Sequence, residues 1–119
     1  DLYDFLDSLR LHVAFNETQR QFTMAPCMDG SLLTQYLCYT YPYDIYTRLD
    51  DIQKQVSVRR LDGIIHYTQS FCYRQIYDHI LREMLQCPVL KLEGDRPGAL
   101  NARDRLRIEA FAETLESRS

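Results

Sequence analysis

Apolar residues first recur at Leu2, Phe5, Leu6 and Leu9, steps of three and four behind an acidic Asp1. That spacing places them on one face of a short helix. The register then changes. Leu11, Val13 and Phe15 alternate with Arg10, His12 and Ala14, and beyond a polar link over 16–19, Phe22 and Met24 alternate again. This predicts a small β-hairpin near residues 10–25, with continuation of the helix through Val13 as the competing reading.

Pro26 and Gly30 punctuate the next connection, where Asp29 or Ser31 can cap a helix carrying Leu32, Leu33, Tyr36, Leu37 and Thr40. Pro42 disfavours helical geometry at Tyr41 and suits the start of another helix with Asp44 in its first turn. Ile45, Leu49, Ile52 and Val56 then step by four, three and four. Two helices are therefore expected to meet at Pro42.

From Ser57, a possible cap, a helical stripe runs through Leu61, Ile64, Ile65, Thr68, Phe71, Cys72, Ile76, Ile80, Met84 and Leu85. It predicts one long helix over 57–86, on the order of 40 Å at about 1.5 Å per residue. Gly63 weakens it by roughly 1 kcal/mol relative to alanine, and Pro88 stops it. Val89, Leu90 and Leu92 suit a short strand or an extended strap, residues 94–98 a turn, and Leu106, Ile108, Phe111 and Leu115 a final amphipathic helix.

These elements predict a mainly α fold: a single-domain bundle of four to five helices around the long helix at 57–86, with room for a small β-hairpin near 10–25. Its expected core is Leu37, Leu49, Ile52, Leu61, Ile65, Phe71, Cys72, Ile76, Ile80, Leu85 and Phe111. The sequence contains no repeat, low-complexity tract or Ser/Gly-rich linker, so one domain is expected over 1–119. Because the chain opens on aspartate, it is expected to be a fragment of a longer one.

Composition agrees with an ordinary globular chain, 45% hydrophobic and 26% charged. A net charge of −3 spread along the chain disfavours nucleic acid, and acidic neighbours interrupt both Arg59-Arg60 and the set Arg96, Arg103, Arg105 and Arg107. No apolar run approaches the roughly 20 residues of a membrane span. Arginine outnumbers lysine twelve to two, a skew read as nucleotide bias ahead of function.

Cys27, Cys38, Cys72 and Cys87 are separated by 10, 33 and 14 residues, which matches no zinc module. Free thiols in an intracellular compartment are the expectation. The alternative is a secreted, helical ligand or effector held by two disulfides, to which the sequon Asn16-Glu17-Thr18 lends some weight.

Five of the nine tyrosines fall between Tyr36 and Tyr46. With a bend at Pro42, Tyr36 and Tyr39 belong to one helix and Tyr43 and Tyr46 to the next, forming an aromatic corner with hydroxyls left wet or bonded. The same amphipathic rings suit a partner surface. Tyr3, Tyr46, Tyr73 and Tyr77 each precede an aliphatic residue by three, which in a helix means neighbours on one face rather than phosphorylation motifs. Asp62 with His66 and His79 with Glu83, each four apart, read as surface pairs.

No nucleophile elbow, glycine-rich phosphate loop or zinc-protease motif is present, so the sequence names no catalytic residue, metal ligand or cofactor. The functional expectation is a non-enzymatic protein–protein interaction or assembly domain. It would bind another protein through Tyr39, Tyr41, Tyr43, Tyr46 and Arg48, with a homo-oligomer through the aromatic corner as a third option.

Overall fold

The computed structural model describes residues 1–20, 30–37 and 45–118. In chain order these form α1 (Leu2–Ser8), α2 (Glu17–Arg20), α3 (Leu32–Leu37), α4 (Ile45–Arg59), β1 (Ile64–Thr68), a 3-10 turn (Tyr73–Ile76), α5 (Tyr77–Met84), β2 (Val89–Glu93) and α6 (Ala102–Glu116). The described residues are mostly helical, with one two-stranded sheet. Contacts divide the chain into two compact units: Asp1–Val13 with Leu61–Ser119, and Ala14–Arg60.

In the first unit β1 and β2 pair in parallel, from Ile64 beside Val89 to Thr68 beside Glu93. Parallel neighbours require a crossover, supplied here by the 3-10 turn and α5. Strand residues alternate between faces. Ile65, Leu90 and Leu92 turn to a cluster centred on Leu6, Leu92 and Ile108, which also gathers Leu2, Phe5, Leu9, Leu11 and Leu100 from the ends of the unit. His66 turns the other way and meets Asp78 of α5. Asn101 caps α6 by accepting from the Asp104 N–H at 2.8 Å.

The predicted long helix over 57–86 is not formed. Ser57 lies inside α4, its hydroxyl donating to the Gln53 carbonyl at 3.1 Å. The chain leaves that helix at Arg60, whose φ is 52°, and the β-branched and aromatic run Ile64-Ile65-His66-Tyr67-Thr68 extends instead. Gly63 explains part of this switch. A Cβ there would stand 2.7 Å from Phe111 Cζ and 2.8 Å from Leu115 Cδ2, so the bare backbone is what lets α6 approach the start of β1.

The core expectation changes accordingly. Leu49, Ile52, Leu85 and Phe111 are buried, whereas Phe71, in the turn after β1, and Ile76, at the end of the 3-10 segment, are exposed rather than on the buried face of a long helix. Leu61, Ile65, Cys72 and Ile80 are half-buried. The side chain of Leu37 falls outside what the structure describes. Leu106 also points outward; the buried face of α6 is Asp104, Ile108, Phe111 and Ala112. No strand occurs in 10–20, so the first arm of the expected hairpin is absent, and the Phe22 and Met24 arm lies outside the described residues.

In the second unit, Ile45, Leu49 and Ile52 form the buried stripe of α4. Two fork-to-carboxylate pairs fasten α2 to it. Arg48 donates Nε and Nη2 to Glu17 at 2.6 and 2.7 Å, and Arg20 donates Nε and Nη2 to Asp51 at 2.9 and 2.8 Å. The Phe15 ring takes the guanidinium groups of Arg20 and Arg59 at 5.8 and 5.3 Å.

Candidate functional site

Loops at the carboxyl ends of parallel strands are where open α/β sheets place ligands. Here that end gathers two hydrogen-bonded loops and a non-glycine residue at positive φ, Phe71. After Thr68 the chain turns through Gln69, Ser70, Phe71 and Cys72, and after Glu93 through Gly94 and Asp95.

Several bonds lock the two turns. The Gly94 N–H donates to the Thr68 carbonyl at 3.0 Å, and the Tyr67 hydroxyl to the Gly94 carbonyl at 3.1 Å. Asp95 then accepts the Ser70 backbone N–H at 2.6 Å on one carboxylate oxygen and the Ser70 hydroxyl on the other. These two bonds, the hydroxyl first, hold the Asp95 carboxyl below its ordinary pKa. The carboxylate therefore stays charged until pH falls below the usual aspartate range.

Within the same turn the Gln69 carbonyl accepts from the Cys72 N–H at 3.1 Å and from Gln75 Nε2 at 2.8 Å. Phe71, between these anchors, has φ of 62° and its side chain entirely in solvent. Left-handed geometry costs a non-glycine residue about 1 to 2 kcal/mol. Cys72, half-buried, follows it with a free thiol.

Beneath the turns, His66 and Thr68 lie on one face of β1 and are both buried. His66 Nδ1 is 3.2 Å from Asp78 Oδ1, and the other Asp78 oxygen accepts from Arg82 Nε at 2.8 Å. The buried Thr68 Oγ1 has no hydrogen-bond partner among the described residues. An imidazole backed by a carboxylate can hold or pass a proton. Here it also ties the crossover helix to the strand.

The expected pairing of His66 with Asp62 gives way to this one with Asp78, because β1 is a strand that starts only at Ile64 and extended chain sets residues four apart at roughly 13 Å, beyond side-chain pairing. The Ile-Ile-His-Tyr-Thr run, followed by an amphipathic stretch and a second apolar run, was the signal available for it. His79 and Glu83 form the expected surface pair at 3.1 Å, both well exposed.

Of the proposed contact residues, Tyr46 is exposed, and Arg48 is buried against Glu17. Tyr39, Tyr41 and Tyr43 lie outside the described residues, as does most of the aromatic corner. Cys72 and Cys87 are free, and burial pushes the Cys87 thiol above its ordinary pKa. Cys27 and Cys38 lie outside the described residues. Asn16 of the sequon accepts from the Thr18 N–H at 3.0 Å, opening α2. Among the described residues no three His, Cys, Asp or Glu side chains are grouped to hold a metal ion, and no helix is long and apolar enough to cross a membrane.

No curated protein and no solved structure matches the chain significantly. A family model does: 2-hydroxyglutaryl-CoA dehydratase, D-component, matches residues 1–115. This finding overturns the expectation of a non-enzymatic interaction domain, since the family is described as a component of an enzyme. The absence of a short catalytic motif was a poor guide, because a component need not carry a self-contained catalytic triad or phosphate loop. With the match running through both units and all the elements of the strand-end site, the chain belongs to the 2-hydroxyglutaryl-CoA dehydratase D-component family.

Proposed function

We propose that this chain serves in the dehydration of a 2-hydroxyacyl-CoA thioester, acting with a partner protein component, and that the carboxyl-end loops of β1 and β2 face the reacting molecule. The family match over residues 1–115 carries this reading. The location of the locked turns supports it, since strand-end loops on a rigid sheet are the usual place for ligand contacts.

The chemistry explains why a component suits the task. Loss of water from a 2-hydroxyacyl thioester removes the C2 hydroxyl and a C3 hydrogen, leaving a 2,3-unsaturated thioester. That C3 hydrogen is β to the carbonyl and is not acidified by it, so a lone histidine–carboxylate pair is a weak agent for the reaction. Binding, orientation and water exclusion by the loops are the roles this chain's residues suit. Tyr46, with Tyr39, Tyr41 and Tyr43, is the proposed contact set for the partner component; Arg48 would act from beneath through Glu17.

The test is to assemble the full-length protein with its partner component and follow conversion of 2-hydroxyglutaryl-CoA to the unsaturated thioester. Activity that requires this protein supports the proposal. An assembly that converts no 2-hydroxyacyl-CoA sinks it.

A further inference from the structure

We infer that Asp95 is a positioning residue, a latch whose carboxylate takes both the N–H and the hydroxyl of Ser70 and so fixes the Gln69–Cys72 turn that presents Phe71 and Cys72 at the strand-end site. The inference rests on the functional reading above for its consequence in catalysis, but not for the latch itself.

Three observations converge on it. Ser70 and Asp95 are 25 residues apart and belong to the loops after different strands, so the two bonds join segments that the sheet alone brings together. The bonded turn holds an aromatic residue at φ of 62° with its ring fully exposed. A bulky exposed side chain returns no burial energy for that backbone geometry, so outside bonds must hold it. Finally, Asp95 is itself exposed and covers no core, which removes packing as the reason for its geometry.

The remaining anchors act at the turn's edges. Gln75 Nε2 and the Cys72 N–H share the Gln69 carbonyl, and Tyr67 bonds Gly94. None reaches Ser70. With the carboxylate removed, Ser70 loses its tie to the second loop, and the turn carrying Phe71 is held only by the bonds to the Gln69 carbonyl.

The experiment compares Asp95→Ala, Asp95→Asn and wild type in the full-length protein. Asparagine keeps an acceptor for the Ser70 N–H and can donate to its hydroxyl, so it restores both contacts with one donor reversed. The first readout is the alkylation rate at Cys72, followed by peptide mass spectrometry so that the other thiols do not interfere. Alanine is expected to speed labelling severalfold and asparagine to return it toward wild type. The second readout is steady-state dehydration in the assembled enzyme. Alanine is expected to lower kcat by about 10- to 100-fold, the scale of a small misplacement of reacting groups, with asparagine recovering most of it.

Unchanged Cys72 labelling in Asp95→Ala overturns the latch. Altered labelling with wild-type kcat overturns the positioning role. A wild-type assembly without dehydratase activity refutes the functional reading instead, and the labelling comparison then decides the latch by itself.

Discussion

His66 Nδ1 and Asp78 Oδ1 stand 3.2 Å apart, joining the middle of β1 to the first turn of α5 across the crossover between the two parallel strands. Both side chains are largely withdrawn from water, and Asp78 is shared with Arg82. Replacing His66 with alanine removes a buried hydrogen bond and its packing. A loss of about 2 to 3 kcal/mol in urea-induced unfolding is expected. In a double-mutant cycle with Asp78→Asn, the two changes should be less than additive; strict additivity would show that the pair is not coupled.

Gly63 separates two structural readings by the sign of one substitution. Inside a helix, alanine would stabilise that position by roughly 1 kcal/mol. In the structure its Cβ meets Phe111 and Leu115 of α6 at under 3 Å and the Pro88 carbonyl at 3.3 Å. Gly63→Ala is therefore expected to destabilise by about 1 to 3 kcal/mol, as overpacking does. A raised melting temperature would restore the helix over this region.

Helix-period patterning located the elements whose apolar residues lie on one continuous stripe. Leu2, Phe5 and Leu6 lie in α1 with Leu9 at its C-cap, and Ile45 to Val56 make up most of α4. The same pattern misled over 57–86, because Leu61, Ile64, Ile65 and Thr68 fit a helical period as well as a buried strand does. What decides between them is a tertiary fact: α6 needs close approach at Gly63, and β1 needs a partner 25 residues on. The strand-end site was illegible for a related reason. Ser70 and Asp95 carry no motif, and nothing local in either loop announces that parallel pairing will set them side by side.

Arg48 and Glu17 offer a test in the second unit. Arg48 is buried, its fork is matched to both oxygens of Glu17, and its Nη1 has no hydrogen-bond partner among the described residues. Arg48→Ala strands a partly buried carboxylate and is expected to cost about 3 kcal/mol. Arg48→Lys keeps the charge but not the two-pronged geometry, so it should recover less than half of that loss. Full recovery by lysine would mean that charge alone matters there. Chemical denaturation of the three proteins gives the answer.

Cys87 should behave as a sluggish thiol. Its pKa is raised, first by burial, so a smaller thiolate fraction is present at neutral pH than for an ordinary cysteine. Because the shift is upward, alkylation at Cys87 should still be climbing at a pH where an exposed model thiol has levelled off. A rate profile that levels together with the model thiol would contradict the assigned burial.

The first unit is interrupted in the chain: Asp1–Val13 belongs with Leu61–Ser119, and the Asp1 side chain accepts from the Leu100 N–H across 99 positions. Synthesis runs from one end, at about 5 to 20 residues per second. α1 therefore leaves the ribosome about 5 to 20 s before the residues that cover it. During that interval Leu2, Phe5, Leu6 and Leu9 lack Leu92 and Ile108, their partners in the finished cluster. The residues of the second unit are meanwhile all available to fold. The nascent chain thus carries an amphipathic helix whose partners in the finished cluster have yet to emerge, a segment open to premature association or chaperone capture.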